Sequence, residues 1–218
     1  MSKSKSLLIF DCDGVLVDSE IVACRVLAAL LSRHGYPITA SESLAKFTGM
    51  TIPGVIEMVA EEGVELPEDF EAQLRERDVE AFARELKAPP GMQTTLEQLA
   101  GRPKCVATNG SPDKTRVKLE LTGLIRHFEP FVFSATEVKK PKPAPDLFLM
   151  AANRMGFAPS DCVVIEDSVL GVEGGKRAGM RVLGFIGAGH RSSSDADVLR
   201  RAGADLVFAD IEELPRLV

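Results

Sequence analysis

The first candidate site residues are two aspartates. Asp11 and Asp13 follow a run of apolar residues, 7–10, and precede Gly14. Alternate residues of an extended segment point to the same side, so both carboxylates can face one site. Two carboxylates at the edge of a core repel each other, and a hard divalent cation is the simplest group that holds them together. An ordinary turn closed by Gly14 is the alternative, which this short pattern predicts equally well.

A second polar cluster, Thr108-Asn109-Gly110, follows the apolar run 105–107. It offers a hydroxyl group, an amide, and a glycine whose backbone N–H can approach an anion closely. The combination is typical of a phosphate-binding loop. On its own, the cluster also fits a simple turn.

Two charged clusters complete the set. Lys142 lies in the proline-rich segment 140–146, and Glu166-Asp167-Ser168 follows the apolar run 163–165. Taken singly, Lys142 can be a solvated lysine, and Asp167 and Ser168 can simply begin a helix as capping residues. Each of the four clusters nevertheless stands directly after, or in a loop between, predicted strands. Together they supply carboxylates for Mg²⁺, donors for phosphate oxygens and a lysine that offsets charge, which indicates phosphoryl transfer.

The elements that must position these residues alternate between strand and helix. Strands are predicted at 7–10, 104–108, 131–133, 162–165, 182–186 and 206–208. Helices are predicted between them at 92–99, 112–121, 144–155 and 169–178, with a short one at 211–214. Short apolar strands alternating with helices indicate an α/β fold with a doubly wound parallel sheet. The carboxyl ends of such strands meet at one edge, where ligands bind.

A helical segment interrupts this alternation. Apolar residues recur at helical spacing from Val22 to Leu31, and further helices are predicted at 42–47, 52–61 and 68–86. The run Ala88-Pro89-Pro90-Gly91 then acts as a hinge-like linker, because it cannot continue a helix. The predicted domains are therefore an α/β core, 1–16 and 88–218, and an inserted helical domain, 17–87.

The bulk composition narrows the function classes. The 218 residues carry a formal net charge of −6, which argues against nucleic acid and anionic membrane as partners. No apolar run is long enough to span a bilayer, and the first residues do not resemble a secretory signal. The four cysteines form no Cys-x-x-Cys pair, so they are expected to be structural thiols in a reducing cytoplasm.

The four clusters together resemble the motifs of the haloacid dehalogenase superfamily, in the same order and over the whole core. The matching segments are 11–19, 108–110, 142–146 and 164–168. The helical insert is similar to the α-helical cap of the β-phosphoglucomutase-like subgroup. Within that subgroup the chain resembles bacterial sugar-phosphate phosphatases, including those that act on 6-phosphogluconate. The resemblance implies a Rossmann-like core and a phosphoric monoester hydrolase.

The resemblance also implies roles for individual residues. Asp11 is the expected nucleophile, which forms an aspartyl-phosphate, and Asp13 is the expected general acid and base. Mg²⁺ is expected to be held by Asp11, the backbone carbonyl of Asp13, and Asp167, with Glu166 orienting a metal-bound water.

Phosphate binding is assigned by the same resemblance. Thr108, Asn109 and Gly110 are expected to bind the phosphate oxygens. Lys142 is expected to bridge the nucleophile and the phosphate.

Four other functions are weighed against hydrolysis. The mutases of the subgroup use a histidine and an arginine in the cap, but Ala23 and Ile52 occupy the matching positions here. A true dehalogenase usually lacks the second aspartate and needs no Mg²⁺. A receiver domain that only accepts phosphate is shorter and has no helical insert, and a catalytically dead binding module would have a broken motif. A phosphatase is therefore favoured, with the phosphosugar mutase as the main alternative.

The cap would close over the site and exclude bulk water. Glu20, Lys46 and Thr51 are its expected substrate contacts. The predicted partner is a small phosphorylated metabolite, namely a sugar, polyol or sugar-acid phosphate. The chain is expected to be a cytoplasmic monomer.

Overall fold

The computed structural model describes residues 6–48, 50–189 and 195–218, and the chain divides into two compact units. The first unit comprises Met1–Asp18 and Lys87–Val218, and the second comprises Ser19–Leu86. Residues 1–5, which bear on the expected lack of a signal sequence, lie outside the described residues. Each unit has its own hydrophobic core, so each is described separately.

The first unit is built on six parallel strands in the order β3-β2-β1-β4-β5-β6. The strands are β1 Leu7–Phe10, β2 Lys104–Thr108, β3 Val132–Ser134, β4 Cys162–Glu166, β5 Arg181–Phe185 and β6 Leu206–Phe208. On β1, Ile9 lies opposite Cys105 of β2 on one side and Val164 of β4 on the other. The predicted doubly wound parallel sheet is confirmed. Its strand order reverses between β1 and β4, the position at which such sheets bind ligands.

The helices of the described residues alternate with the strands in the first unit and make up the second. They are α1 Ser19–Arg33, α2 Ala40–Phe47, α3 Ile52–Glu61, α4 Phe70–Glu85, α5 Met92–Gln98, α6 Pro112–Leu121, α7 Asp146–Met155, α8 Val169–Arg177, α9 Asp195–Arg201 and α10 Leu214–Leu217. Short 3-10 segments are Ile125–His127, Ala135–Glu137, Pro159–Asp161 and Ile211–Glu213.

Two differences from the predictions have a clear physical cause, and most other elements differ from their predicted bounds by no more than two residues. Strand β3 begins at Val132, because the Phe131 N–H donates to the Phe128 carbonyl in a turn (2.7 Å) and Phe131 is exposed. Helix α9 was not predicted from the sequence. It is only seven residues long and buries only Ala196 and Leu199, so its apolar pattern is weak.

The core of the first unit lies on both faces of the sheet. On one face Ile9 and Val164 pack in a cluster with Phe148 of α7 and Val172 of α8. On the other face the next residue of β1, Phe10, meets the ring of Phe128 edge-on, with 5.6 Å between centroids. Burying one such apolar side chain contributes about 1.5–3 kcal/mol. Because β1 is buried on both faces, the backbone that follows it is rigidly placed.

The second unit consists of α1–α4, and its described residues include no strand. Its core is formed by apolar residues that recur at helical spacing, among them Leu27 and Leu31 of α1, Phe47 of α2, Val59 of α3 and Phe70 of α4. The prediction of an all-helical segment is confirmed for the described residues. Its assignment as a cap stays a prediction.

Three smaller features also bear on the predictions. The linker after the second unit ends at Gly91, the residue that precedes α5. Its φ of 79° lies in the left-handed region, which favours glycine. All four cysteines are buried and form no disulfide. No helix in the described ranges combines the length and the apolar character that crossing a bilayer requires.

Candidate active site

The site begins where β1 ends. Asp11 directly follows Phe10, and its N–H donates to the Ile165 carbonyl of β4 at 3.0 Å. Only 8% of Asp11 is exposed. The parallel pairing of β1 and β4 therefore brings Asp11 next to the residues that end β4, Glu166 and Asp167.

Asp11, Glu166 and Asp167 form a buried acidic cluster. One carboxylate oxygen of each lies within 4.8 Å of the others. Burial raises the pKa of Asp11 well above its ordinary value, and the neighbouring carboxylates raise it further, while Lys142 lowers it. Ionising this cluster fully therefore requires positive charge beside it.

Lys142 supplies part of that charge. Its ammonium group donates to Asp11 Oδ1 (2.6 Å), Glu166 Oε1 (2.6 Å) and the Ala107 carbonyl (2.7 Å). Burial alone would lower the pKa of Lys142, but the two carboxylates outweigh burial and the pKa is raised. Lys142 is thus held as a cation with three acceptors for its three N–H groups.

The donor set suits a divalent cation. If all three carboxylates ionise, the single ammonium group leaves two negative charges uncompensated. Carboxylate oxygens are the ligands that Mg²⁺ prefers, and Mg²⁺ would balance that charge. The residues present therefore fit a hard metal ion.

Glu166 is fixed by contacts of its own. Its Oε2 accepts hydrogen bonds from the N–H groups of Asp167 (3.1 Å) and Ser168 (3.2 Å) and from the Ser168 hydroxyl (3.0 Å). Ser168 Oγ also accepts from the Gly171 N–H at 3.0 Å and so caps α8. A methyl group on Gly171 would overlap the Glu166 carboxylate. The start of α8 is therefore shaped around Glu166.

The loop after β2 lies beside Lys142. Thr108 ends the strand, is 2% exposed, and its Oγ1 accepts from the Gly110 N–H at 3.1 Å. The Asn109 side chain pairs with the backbone of Lys142: its Oδ1 accepts from the Lys142 N–H (3.1 Å) and its Nδ2 donates to the Lys142 carbonyl (3.4 Å). Asn109 thus ties the loop to the segment that carries Lys142.

Ser134, at the end of β3, was not predicted as a site residue. Its hydroxyl donates to the Gly110 carbonyl at 2.7 Å and holds the loop from the other side. No pattern in the sequence distinguishes Ser134 from other strand-end serines.

Asp13 lies apart from the acidic cluster. Its side chain is not among the three clustered carboxylates and instead forms an ion pair with Lys118 of α6. Lys118 was also missed in the sequence. One signal was available: Ser111, Thr115 and Lys118 follow one another at helical spacing, so they share a face of α6 that begins at the loop.

Gly14 makes room for Asp167. Its φ of 80° lies in the left-handed region, and a methyl group there would overlap the Asp167 carboxylate. A glycine at this position is therefore a packing requirement of the cluster.

The three predicted cap contacts lie in the second unit. Glu20 is in the first turn of α1. Lys46 donates to the Tyr36 hydroxyl (2.5 Å) and to Glu62 (2.5 Å), and the Thr51 hydroxyl accepts from the Gly54 N–H at 3.3 Å. Lys46 and Thr51 therefore already have structural partners, and their contact with substrate stays a prediction.

Comparison with known proteins identifies a family of hydrolases. Residues 5–179 match the haloacid dehalogenase-like hydrolase family. The chain is 31% identical to 6-phosphogluconate phosphatase of Escherichia coli over 183 residues, which cover 83% of this chain and 82% of the relative. It is 32% identical to hexitol phosphatase A of the same organism over 212 residues, covering 94% and 91%.

A solved structure matches the fold. A HAD family hydrolase from Deinococcus radiodurans, determined with bound phosphate and sodium, has a TM-score of 0.86 and 33% identity. The match covers 96% of this chain and 93% of that protein. Both of these curated relatives are named phosphatases, and the predicted phosphoric monoester hydrolase is confirmed. The chain belongs to the haloacid dehalogenase-like hydrolase family.

Proposed function

We propose that the protein is a Mg²⁺-dependent phosphatase that hydrolyses a small phosphorylated metabolite through an aspartyl-phosphate on Asp11. The observation that carries the proposal is the buried ammonium group of Lys142, which bridges Asp11 and Glu166 beside Asp167. A carboxylate can attack a phosphate dianion only where their repulsion is offset, and this arrangement supplies the offset.

In the first step, an Asp11 oxygen forms a bond to phosphorus as the bond between phosphorus and the ester oxygen breaks. In this step Asp13 acts in its protonated form and gives that proton to the departing oxygen, so the product leaves as an alcohol and Asp13 is left as a carboxylate. Asp13 is separate from the three clustered carboxylates, which supports a different role for it.

In the second step, the Asp13 carboxylate takes a proton from water. The water oxygen bonds to phosphorus while the bond from phosphorus to Asp11 breaks, which releases inorganic phosphate and restores Asp11. The acid of the first step thus becomes the base of the second.

Asp11, Asp167 and the Asp13 carbonyl would hold Mg²⁺, with Glu166 orienting a bound water, and the ion would supply charge neutralisation. Thr108, the backbone of Asn109 and Gly110 would bind the phosphate oxygens, and Lys142 would join them by exchanging one of its three present acceptors for a phosphate oxygen. The Asn109 side chain already pairs with the Lys142 backbone, so its backbone N–H remains the group directed to phosphate in this proposal.

The substrate class is a sugar, polyol or sugar-acid phosphate. The names of the two curated relatives, 6-phosphogluconate phosphatase and hexitol phosphatase A, support it. Segment 17–87 would act as the cap, with Glu20, Lys46 and Thr51 as substrate contacts. The protein would work as a cytoplasmic monomer that binds neither nucleic acid nor membrane.

A phosphate-release screen tests the proposal. Sugar, polyol and sugar-acid phosphates are assayed with Mg²⁺ and with a chelator, using the wild type and Asp11→Asn. We expect hydrolysis of at least one class with Mg²⁺, and a loss of at least about 10³-fold in the variant and with the chelator. Turnover by Asp11→Asn would remove Asp11 from its role. Conversion of β-glucose-1-phosphate to glucose-6-phosphate without phosphate release would identify a mutase instead.

A further inference from the structure

Lys118 is the charged residue of α6 that contacts a residue of the site. Its ammonium group is ion-paired with Asp13 Oδ1, and the two side chains are 15% and 28% exposed. The other ion pairs of α6 join Arg116 to Glu120 and Glu129, and those side chains are 44–58% exposed. The Lys118 pair is thus shielded from water, where an ion pair is worth more than on the surface.

The geometry of α6 explains how Lys118 reaches Asp13. The helix begins at the loop after β2, and helical side chains lean toward the amino end of their helix. Thr115, one turn earlier on the same face, is buried against the loop, with its hydroxyl 3.1 Å from the position of a Cβ on Gly110. The side chain of Lys118 therefore extends toward the amino end of α6, where its ammonium group meets Asp13.

The Asp13 carboxyl group lies beside the loop after β2, Thr108-Asn109-Gly110, which is called the phosphate loop below. Its Oδ2 lies 3.7 Å from the same Cβ position on Gly110. Asp13 is only two residues from Asp11 in the sequence, yet its carboxyl group is not among those that cluster with Asp11.

We propose that Lys118 is a positioning residue that holds the Asp13 carboxyl group beside the phosphate loop and away from the cluster of Asp11, Glu166 and Asp167. The inference rests on the proposed function, in which Asp13 transfers the proton. In this role Lys118 is not required to touch the reacting atoms. It acts through Asp13, so its effect must vanish when Asp13 cannot transfer a proton.

The kinetic test compares Lys118→Met, Lys118→Arg and Lys114→Met in the wild-type background and in Asp13→Asn. Lys114 is an exposed lysine of the same helix and is the matched control. We expect Lys118→Met to lower kcat by at least about 30-fold with KM within about threefold, which is part of the 10²–10⁴-fold that proton transfer contributes. Lys118→Arg should retain most activity, and Lys114→Met should match the wild type. In Asp13→Asn, Lys118→Met should change kcat less than twofold.

An equal loss in both backgrounds would overturn the proposal, because it would show a general structural role. A second readout does not depend on phosphatase activity. In a crystal structure of Lys118→Met with Mg²⁺, the Asp13 carboxyl group should leave its place beside Gly110, and an unmoved carboxyl group would overturn the proposal. If the wild type lacked phosphatase activity while Asp13 moved as expected, the proposed function would fail and the positioning role would stand.

Discussion

Lys142 joins the carboxylate of Asp11 to that of Glu166. Its three N–H groups are directed to Asp11, Glu166 and the Ala107 carbonyl, and it is 5% exposed. Removing one partner of a buried ion pair typically costs about 3–5 kcal/mol, because the other charge is left buried and unpaired. In the proposed mechanism, the charge that offsets the attack by Asp11 is therefore already in place beside it.

The raised pKa of Asp11 predicts that Mg²⁺ binding depends on pH. Burial keeps the Asp11 carboxyl group protonated to higher pH than an ordinary aspartate, so a metal ion must displace that proton. The affinity for Mg²⁺ should therefore rise with pH, by up to about tenfold per unit, until Asp11 is ionised without the metal. Calorimetric titration in buffers of different ionisation heat should show release of up to about one proton per ion.

Asp11→Asn is the control for this pH dependence. It has no carboxyl proton to release at this position, so the proton count should fall toward zero even where Mg²⁺ still binds weakly. Unchanged proton release in Asp11→Asn would mean that another group is displaced. A Mg²⁺ affinity that is flat with pH would contradict the prediction outright.

Single residues differ in how far the sequence predicts them. Asp11, Thr108 and Glu166-Asp167 stand at strand ends, and parallel strands bring those ends to one edge, so their convergence follows from the pattern. Lys118 instead meets Asp13 from within a helix, across 105 positions of sequence. Such a contact depends on the rotation of α6 against the sheet, which local periodicity does not determine.

At the scale of elements, β4 and α8 are joined by a turn built around one carboxylate. Glu166 ends β4, and its Oε2 accepts from the next two N–H groups, while Ser168 caps α8. Gly171 closes the packing from the first turn of the helix. The position of Asp167 therefore depends on the strand, the turn and the helix at once.

Gly171→Ala should disrupt this turn. The added methyl group overlaps Glu166, so the turn must shift, and overpacking of this kind costs about 1–3 kcal/mol. We expect a lower denaturation midpoint and a loss of turnover of at least about tenfold, because the shift moves Asp167. Chemical denaturation and steady-state kinetics measure both effects.

Gly54→Ala in α3 is the matched control. There the nearest atom to an added methyl group is the Thr51 hydroxyl at 3.3 Å, and alanine favours a helix over glycine by about 1 kcal/mol. Stability should be unchanged or slightly higher. Wild-type stability and turnover in Gly171→Ala would show that α8 is not packed on Glu166 as described.

Elements with continuous apolar runs were predictable. Strands β1 and β2 have the predicted bounds, because every residue in them is buried. Strand β3 has only three residues and follows a turn, and α9 buries only two residues. Both owe their form to the neighbouring elements on which they pack rather than to their own pattern.

At the scale of the whole molecule, Mg²⁺ should stabilise one of the two units. All candidate ligands belong to the unit of Met1–Asp18 and Lys87–Val218. A ligand at 100 times its Kd contributes about 2.7 kcal/mol, which raises the Tm of a domain of this size by about 5–10 °C. Calorimetric melting with Mg²⁺ and with a chelator measures the shift.

Asp167→Asn tests whether the stabilisation comes from the proposed site. Removing one ligand should reduce the shift to about 2 °C or less at the same Mg²⁺ concentration. The full shift in this variant would place the ion elsewhere. If two transitions are resolved, only the one of the α/β unit should move.

The predicted division of the chain rests on the strand pattern, which stops after β1 and resumes after Gly91. Substrate contacts in the helical unit were harder to predict. Lys46 pairs with Tyr36 and Glu62, ten and sixteen positions away, so a lysine that looks free in the sequence has partners in the fold. Predicting which residues contact the substrate requires the arrangement of the side chains in the fold, and the amino-acid composition does not give that arrangement.

Gly14 has a consequence for how this protein tolerates change. Any side chain at this position would push against Asp167, so substitution there would displace a proposed metal ligand without altering a proposed reacting group. In a scan of all single substitutions, position 14 should rank with the nucleophile in intolerance. The absence of a side chain at position 14 is thus itself required, because the Asp167 carboxylate fills the place that a side chain would take. A position can therefore be indispensable without taking part in the reaction.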